Sequence, residues 1–335
     1  LRLTRRCART SAGAALALAL LTGCTTTGLQ LPQGIGHELP PRHELAAVPF
    51  FPQDRYQCGP ASLAMVLAHR GAETRPDELH PEVYVPERKG SLQPELIAAA
   101  RERGLLAVPL QGGLSALLTE VAAGNPVLVL QNLGLSWAPQ WHYAVAVGYD
   151  LGTEELVLRS GMQRRRVTDL AVFERTWARG GHWGVVVTRP SDLPATTAAP
   201  AIVAAVHALE EGGHDEAARR AYQAAAQRWP ERQLVQMALG NRAYADGDLS
   251  MAAEAFRHAA RLSPMEPEAW NNLGHVLAQQ GCRDHALRAV GCAMALAPRD
   301  PRYAESRRQI LPQESGGSSC ARIRCPVPIS ARLRQ

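Results

Sequence analysis

The chain has 335 residues, 46% of them hydrophobic, which is enough for two domains with cores of their own. Its 36 basic against 31 acidic residues leave a net charge of +5, but Lys89 is the only lysine, and no basic stripe with interleaved aromatics occurs; this argues against a nucleic-acid partner. The seven cysteines, Cys7, Cys24, Cys58, Cys282, Cys292, Cys320 and Cys325, contain no CxxC pair with zinc spacing, so no structural metal is expected; no cofactor is expected either.

Residues 1–23 read as a targeting segment. Arg2, Arg5, Arg6 and Arg9 form a basic region, and Ala12 to Leu21 form an apolar run too short to span a membrane comfortably. Leu21-Thr22-Gly23-Cys24 resembles the bacterial lipobox. The resemblance implies that Cys24 is lipidated and becomes the first mature residue, anchoring the chain by its acyl groups. Thr25 follows where an Asp commonly signals inner-membrane retention, which implies the outer membrane, facing the periplasm. Residues 24–45, rich in Thr, Gly, Pro and His without a period, read as a tether.

From Ala46 the pattern becomes that of a folded domain ending near residue 190. Phe51-Pro52-Gln53 is an extended run, and a helix is expected to begin at Cys58, with Gly59 and Pro60 in its first turn. A cysteine at a helix N-terminus meets free backbone N–H groups and the positive end of the dipole, so Cys58 is expected to be more acidic than a free thiol. The Gln53 carboxamide and the Cys58 backbone N–H would supply two donors to a developing oxyanion; Gln57 is the runner-up for that glutamine. A polar stretch to Gly90 follows. Then come a helix over Leu92 to Arg103, a strand over Leu105 to Leu110, a helix over Leu114 to Ala123 and a buried strand over Val127 to Gln131. His142 opens a strand over Trp141 to Asp150, and Glu155 to Ser160 returns. A hairpin centred on Leu151 would set Ser160 opposite His142. Trp183 to Val187 closes the domain, and His182 is read as structural beside Trp183.

Gln53, Cys58-Gly59-Pro60-Ala61 and His142-Tyr143-Ala144-Val145-Ala146-Val147-Gly148-Tyr149-Asp150 resemble the bacteriocin-processing cysteine peptidases that trim double-glycine leaders, and their stand-alone relatives. The resemblance covers about residues 46–190. It implies a papain-like α+β fold, Cys58 as nucleophile, His142 as general base and acid, and Gln53 as oxyanion donor. Where that family has Asp-Pro after the return strand, this chain has Ser160-Gly161. A serine hydroxyl accepts an imidazole N–H but brings no charge to an imidazolium. Asp150 falls too far along the hairpin to replace the missing acid.

Residues 191–200 read as a linker, and the remainder repeats. Pro230, Pro264 and Pro298, Gly213, Gly247 and Gly281, and Ala218, Ala252 and Ala286 recur at the thirty-four-residue period of tetratricopeptide repeats. Repeats are expected over about 199–232, 233–266 and 267–300 within an all-α solenoid of residues 201–312, with a capping helix at the end. Cys282 and Cys292 lie on one helix, too far apart to bridge. Residues 313–335 read as disordered, with Cys320 and Cys325 free to pair.

The expected function is a membrane-anchored cysteine peptidase acting on peptide or protein substrates, with the concave repeat face holding a partner or substrate. Two alternatives stand beside it: a catalytically weak or inactive scaffold for envelope assembly, and acyl transfer by the same Cys58–His142 dyad.

Overall fold

The computed structural model describes residues 39–53, 57–312, 320 and 322–327. Residues 1–23, read as a signal segment, and Cys24 lie outside the described residues. Strand β1 (Arg42–Glu44) is followed by α1 (Cys58–His69), α2 (Pro76–Val83), the short hairpin β2 (Tyr84–Val85) and β3 (Gly90–Ser91), and α3 (Gln93–Arg101). Next come β4 (Leu106–Pro109), α4 (Gly113–Ala122), β5 (Val127–Asn132), β6 (Trp141–Asp150), β7 (Glu155–Ser160), β8 (Gln163–Asp169), α5 (Leu170–Ala178) and β9 (Gly184–Thr188).

The sheet runs β4-β9-β5-β6-β7-β8, all antiparallel, and β1 extends the β5 side of β6. Period-two alternation sorts β6: Tyr143, Val145 and Val147 face a core shared with α1 and α3, while Ala144 and Ala146 face a second core under α4 and α5. Strand β5 is buried along its whole length, Leu128 and Leu130 in the first core and Val127 and Val129 in the second. Such two-sided burial is why it reads as a continuous apolar run.

Several expectations need correction. The tether does not run to residue 45, because Arg42–Glu44 is a strand whose Arg42 and Glu44 pair with Asp150 and Gly148. The stretch between Ser160 and Trp183, read without elements, holds β8 and α5. Strand β8 carries Arg164, Arg165 and Arg166 on an exposed edge, so it lacks the apolar alternation that marks a strand; α5 is started by Asp169, whose carboxylate accepts the Val172 N–H at 2.9 Å.

The helical region comprises α6 (Ala199–Glu211), α7 (Asp215–Arg228), α8 (Gln233–Ala245), α9 (Leu249–Leu262), α10 (Pro267–Gln279), α11 (Arg283–Leu296) and α12 (Pro301–Ile310). Equivalent helices start thirty-four residues apart, and Gly213, Gly247 and Gly281 turn each first helix into its second with positive φ. Gly240 and Gly274 bring paired helices together. A Cβ on Gly240 would lie 2.6 Å from the Phe256 ring, and one on Gly274 2.5 Å from Val290. Trp270 Nε1–H donates to Pro264 O at 2.9 Å, and one repeat earlier Gln236 Nε2 donates to Pro230 O at 3.1 Å. The same strap is thus made by different side chains, which hides the earlier repeat from a motif reading.

The segment before α6 is not a free linker. The fully buried Glu120 carboxylate accepts the Ala195 and Thr196 N–H groups at 3.0 and 2.7 Å, with Asn125 donating at 2.7 Å from behind. Arg228 of α7 donates to the Pro194 and Ala195 carbonyls. Leu106 and Val108 of β4 share a core with Ile202, Val206 and Leu209 of α6, so the first repeat packs on the edge of the sheet.

The tail is also corrected. Cys320 is disulfide-bonded to Cys282, not to Cys325, and Ile323 is buried against the last repeat.

Candidate active site

Cys58 is the first residue of α1, and Gln57 at the N-cap contributes no side-chain bond. Gly59 is required by what lies above it. A Cβ there would stand 2.3 Å from Ser91 Oγ, so only glycine lets the β2–β3 hairpin close over the cysteine. The backbone N–H groups of Tyr143, Gly59 and Cys58 itself favour the thiolate, but burial outweighs them and pushes the thiol up. The expectation of an acidic thiol is therefore reversed in the resting site: a helix N-terminus helps an anion, but this one opens inside the domain.

His142 stands at the start of β6, with Nε2 2.8 Å from Ser160 Oγ. The hairpin does not centre on Leu151. Asp150 pairs with Glu155 and Val145 with Arg159, a bulge intervening between Ala146 and Gly148. Ser160 is consequently a diagonal neighbour of His142, and the buried serine still reaches the ring. Burial and the Arg166 guanidinium lower the imidazole to about 4. With Nε2 committed to Ser160, Nδ1 is the ring nitrogen left for chemistry.

Gln53 ties the β7–β8 turn to α1. Its N–H donates to Gly161 O at 3.1 Å, and its Oε1 accepts the Gly161 N–H at 2.8 Å. Its Nε2 donates to Ser62 Oγ at 2.8 Å and makes a long 3.4 Å contact to Tyr143 O. The weaker of these two donor positions is the one an oxyanion could take.

Gln53, Cys58 and His142 line one cleft of about 820 Å³, with Ser160 buried behind the imidazole. Among the described residues, Cys58 makes no side-chain hydrogen bond to His142. Asp150 instead accepts the Gly152 N–H at 2.9 Å in the hairpin turn, and His182 meets Glu174 at 2.7 Å and the Trp177 ring edge-on. Sequence reasoning missed Ser62, Tyr143 and Gly161. Ser62 was within reach, because it lies one turn beyond Cys58 on the same helix face.

Residues 45–184 match the model of the Peptidase_C39 like family, and residues 240–281 match that of a TPR repeat. The N-terminal domain is thus C39 peptidase-like, and a helical tetratricopeptide-repeat region follows it. Among solved structures, a putative C39-like peptidase from Bacillus anthracis is similar over 44% of this chain and 97% of its own, with 22% identity and a TM-score of 0.39. The peptidase domain of Streptococcus ComA, a bi-functional ABC transporter involved in a quorum-sensing pathway, is similar over 42% and 98%, with 17% identity and a TM-score of 0.35. The Yersinia enterocolitica type III secretion translocator chaperone SycD is similar over 33% and 77%, with 19% identity and a TM-score of 0.30. No curated protein matches the chain.

Proposed function

We propose that residues 46–190 are a cysteine peptidase in which Cys58 and His142 form the reacting pair. Nδ1 of His142 takes the thiol proton as Sγ attacks the peptide carbonyl and the C–S bond forms. The oxyanion takes the Cys58 backbone N–H and one Gln53 Nε2–H. Collapse breaks the C–N bond, and the amine leaves with the proton from His142. Water, deprotonated by the same imidazole, then cleaves the thioester and restores the thiol. The observation that carries this reading is the 2.8 Å bond from His142 Nε2 to Ser160, made in the cleft that also presents Cys58 and Gln53. The test is peptide turnover by the intact chain, expected to be abolished in Cys58→Ala and in His142→Ala.

A second reading, a weak or inactive scaffold, is favoured by the cation Arg166 acting on His142 where a carboxylate would serve catalysis better. Turnover indistinguishable from that of Cys58→Ala would select it. In either reading, a lipidated Cys24 would hold the protein at the outer membrane facing the periplasm, and the concave repeat face would recruit a protein partner or substrate. Fractionation of Cys24→Ser tests the anchor: release from membranes is expected, and retention after high-salt washing would exclude lipidation there.

A further inference from the structure

The cleft that holds Cys58 is lined in part by two cations. Arg88 and Lys89, at the end of the β2–β3 hairpin, line the cleft, and no carboxylate lines it among the described residues. Both are exposed, and neither has an ion-pair or hydrogen-bonded side-chain partner among the described residues. The tip is not a loose loop. Tyr84 pairs with Ser91 and Val85 with Gly90, Lys89 N–H bonds Pro86 O at 3.1 Å, and Tyr143 Oη–H donates to Ser91 O at 3.1 Å. With Ser91 also seated against Gly59, the hairpin is pinned to the floor of the site.

Lys89 adopts left-handed backbone geometry, with φ of 50°. Glycine or asparagine would fill that position with less strain. The chain places its only lysine there instead. Its ammonium thus stands at the mouth of the cleft at a modest backbone cost.

We propose that Arg88 and Lys89 select polypeptides carrying an acidic side chain close to the bond presented to Cys58. This rests on the peptidase reading for the bond that is cut, while the binding step stands apart from it. An exposed guanidinium and ammonium each add a modest attraction to a carboxylate, together about tenfold in affinity at low salt.

The experiment measures binding of fluorescent decapeptides, identical except for a central Glu, Gln or Lys, to the full chain carrying Cys58→Ala. The Glu peptide is expected to bind about tenfold tighter than the Gln peptide, the gain vanishing as salt rises from about 0.05 to 0.5 M. The Arg88→Glu, Lys89→Glu double variant should prefer the Lys peptide. Acetylating Lys89, the only lysine, should weaken the Glu preference, whereas reductive methylation, which keeps the charge, should preserve it. Equal affinity for Glu and Gln peptides, undetectable binding of both, or a preference unchanged by the double variant would overturn the proposal. A wild-type chain that binds with this preference yet cleaves nothing overturns the peptidase reading alone. One that cleaves without regard to charge overturns the acidic selectivity and leaves the peptidase reading standing.

Discussion

Ser160 lies two residues out of step with His142 along the β6–β7 hairpin, yet the two side chains meet at 2.8 Å. The pair is diagonal, and both residues project from the same face of the sheet. The hydroxyl satisfies Nε2 and orients the ring without neutralising an imidazolium. The dyad is half-buried, and both shifts favour its uncharged form: partial burial raises the thiol, and burial with Arg166 lowers the imidazole to about 4.

Ser160→Asp should change that balance. A carboxylate beside Nε2 favours the imidazolium, and through it the thiolate, by roughly one pH unit or more. Alkylation of Cys58 at pH 7 should then rise by about tenfold, with Ser160→Ala giving no such gain. Equal rates in all three proteins would mean that Ser160 does not meet the imidazole in solution.

In the wild type, Cys58 should react with iodoacetamide more slowly at pH 7 than a free cysteine peptide does, and its rate should climb with pH beyond the ordinary thiol range. Mass spectrometry separates its label from those on Cys292 and Cys325, the other unbridged cysteines among the described residues. Rapid, pH-independent labelling near pH 6 would show an ion pair and contradict the neutral resting state.

The depressed imidazole also has a stability consequence. Between pH 6.5 and about 4 the unfolded chain protonates at His142 while the folded one does not, so stability falls as pH drops through that window. At ~1.4 kcal/mol per pH unit the loss from this group is about 3 kcal/mol. Urea unfolding at pH 7 and pH 4 should therefore show a smaller acid loss in His142→Gln than in the wild type. Identical losses would place His142 in water.

The Cys282–Cys320 disulfide closes a loop with a sequence separation of 38 residues, a constraint worth up to about 4 kcal/mol by chain entropy. Cys320→Ser, or reduction, should release the segment around Ile323 from the last repeat. Trypsin should then cut quickly at Arg322 and Arg324, exposed residues that flank the buried Ile323. Unchanged digestion would mean that apolar packing alone holds the segment.

Much of the site was legible because local chemistry announces it. A cysteine before Gly-Pro at a helix start, a glutamine upstream and a histidine opening an apolar strand are all short-range signals. The repeats were legible for the same reason, by their period. What escaped was decided elsewhere in the fold. The direction of the Cys58 shift depends on how deeply α1 is buried, and no window around Cys58 contains that. Strand β8 was invisible because its exposed Arg164, Arg165 and Arg166 look like a solvated loop until β7 pairs with it. Residues 42–44 looked like tether because a three-residue strand has no pattern of its own until its partner is known. Cys320 was matched with its near neighbour because sequence distance says nothing of where a tail docks.

The buried Glu120 carboxylate turns the connection between sheet and helices into a welded joint. Arg228 clasps the same segment and α6 is seated on β4, so the repeat region is tied to the sheet by polar and apolar contacts together. These contacts set the bearing from the helical array to the mouth of the cleft in this structure. A polypeptide gripped by the array would arrive at Cys58 from one compass direction, and the length of its free end, measured along that line, would decide which bond comes within range.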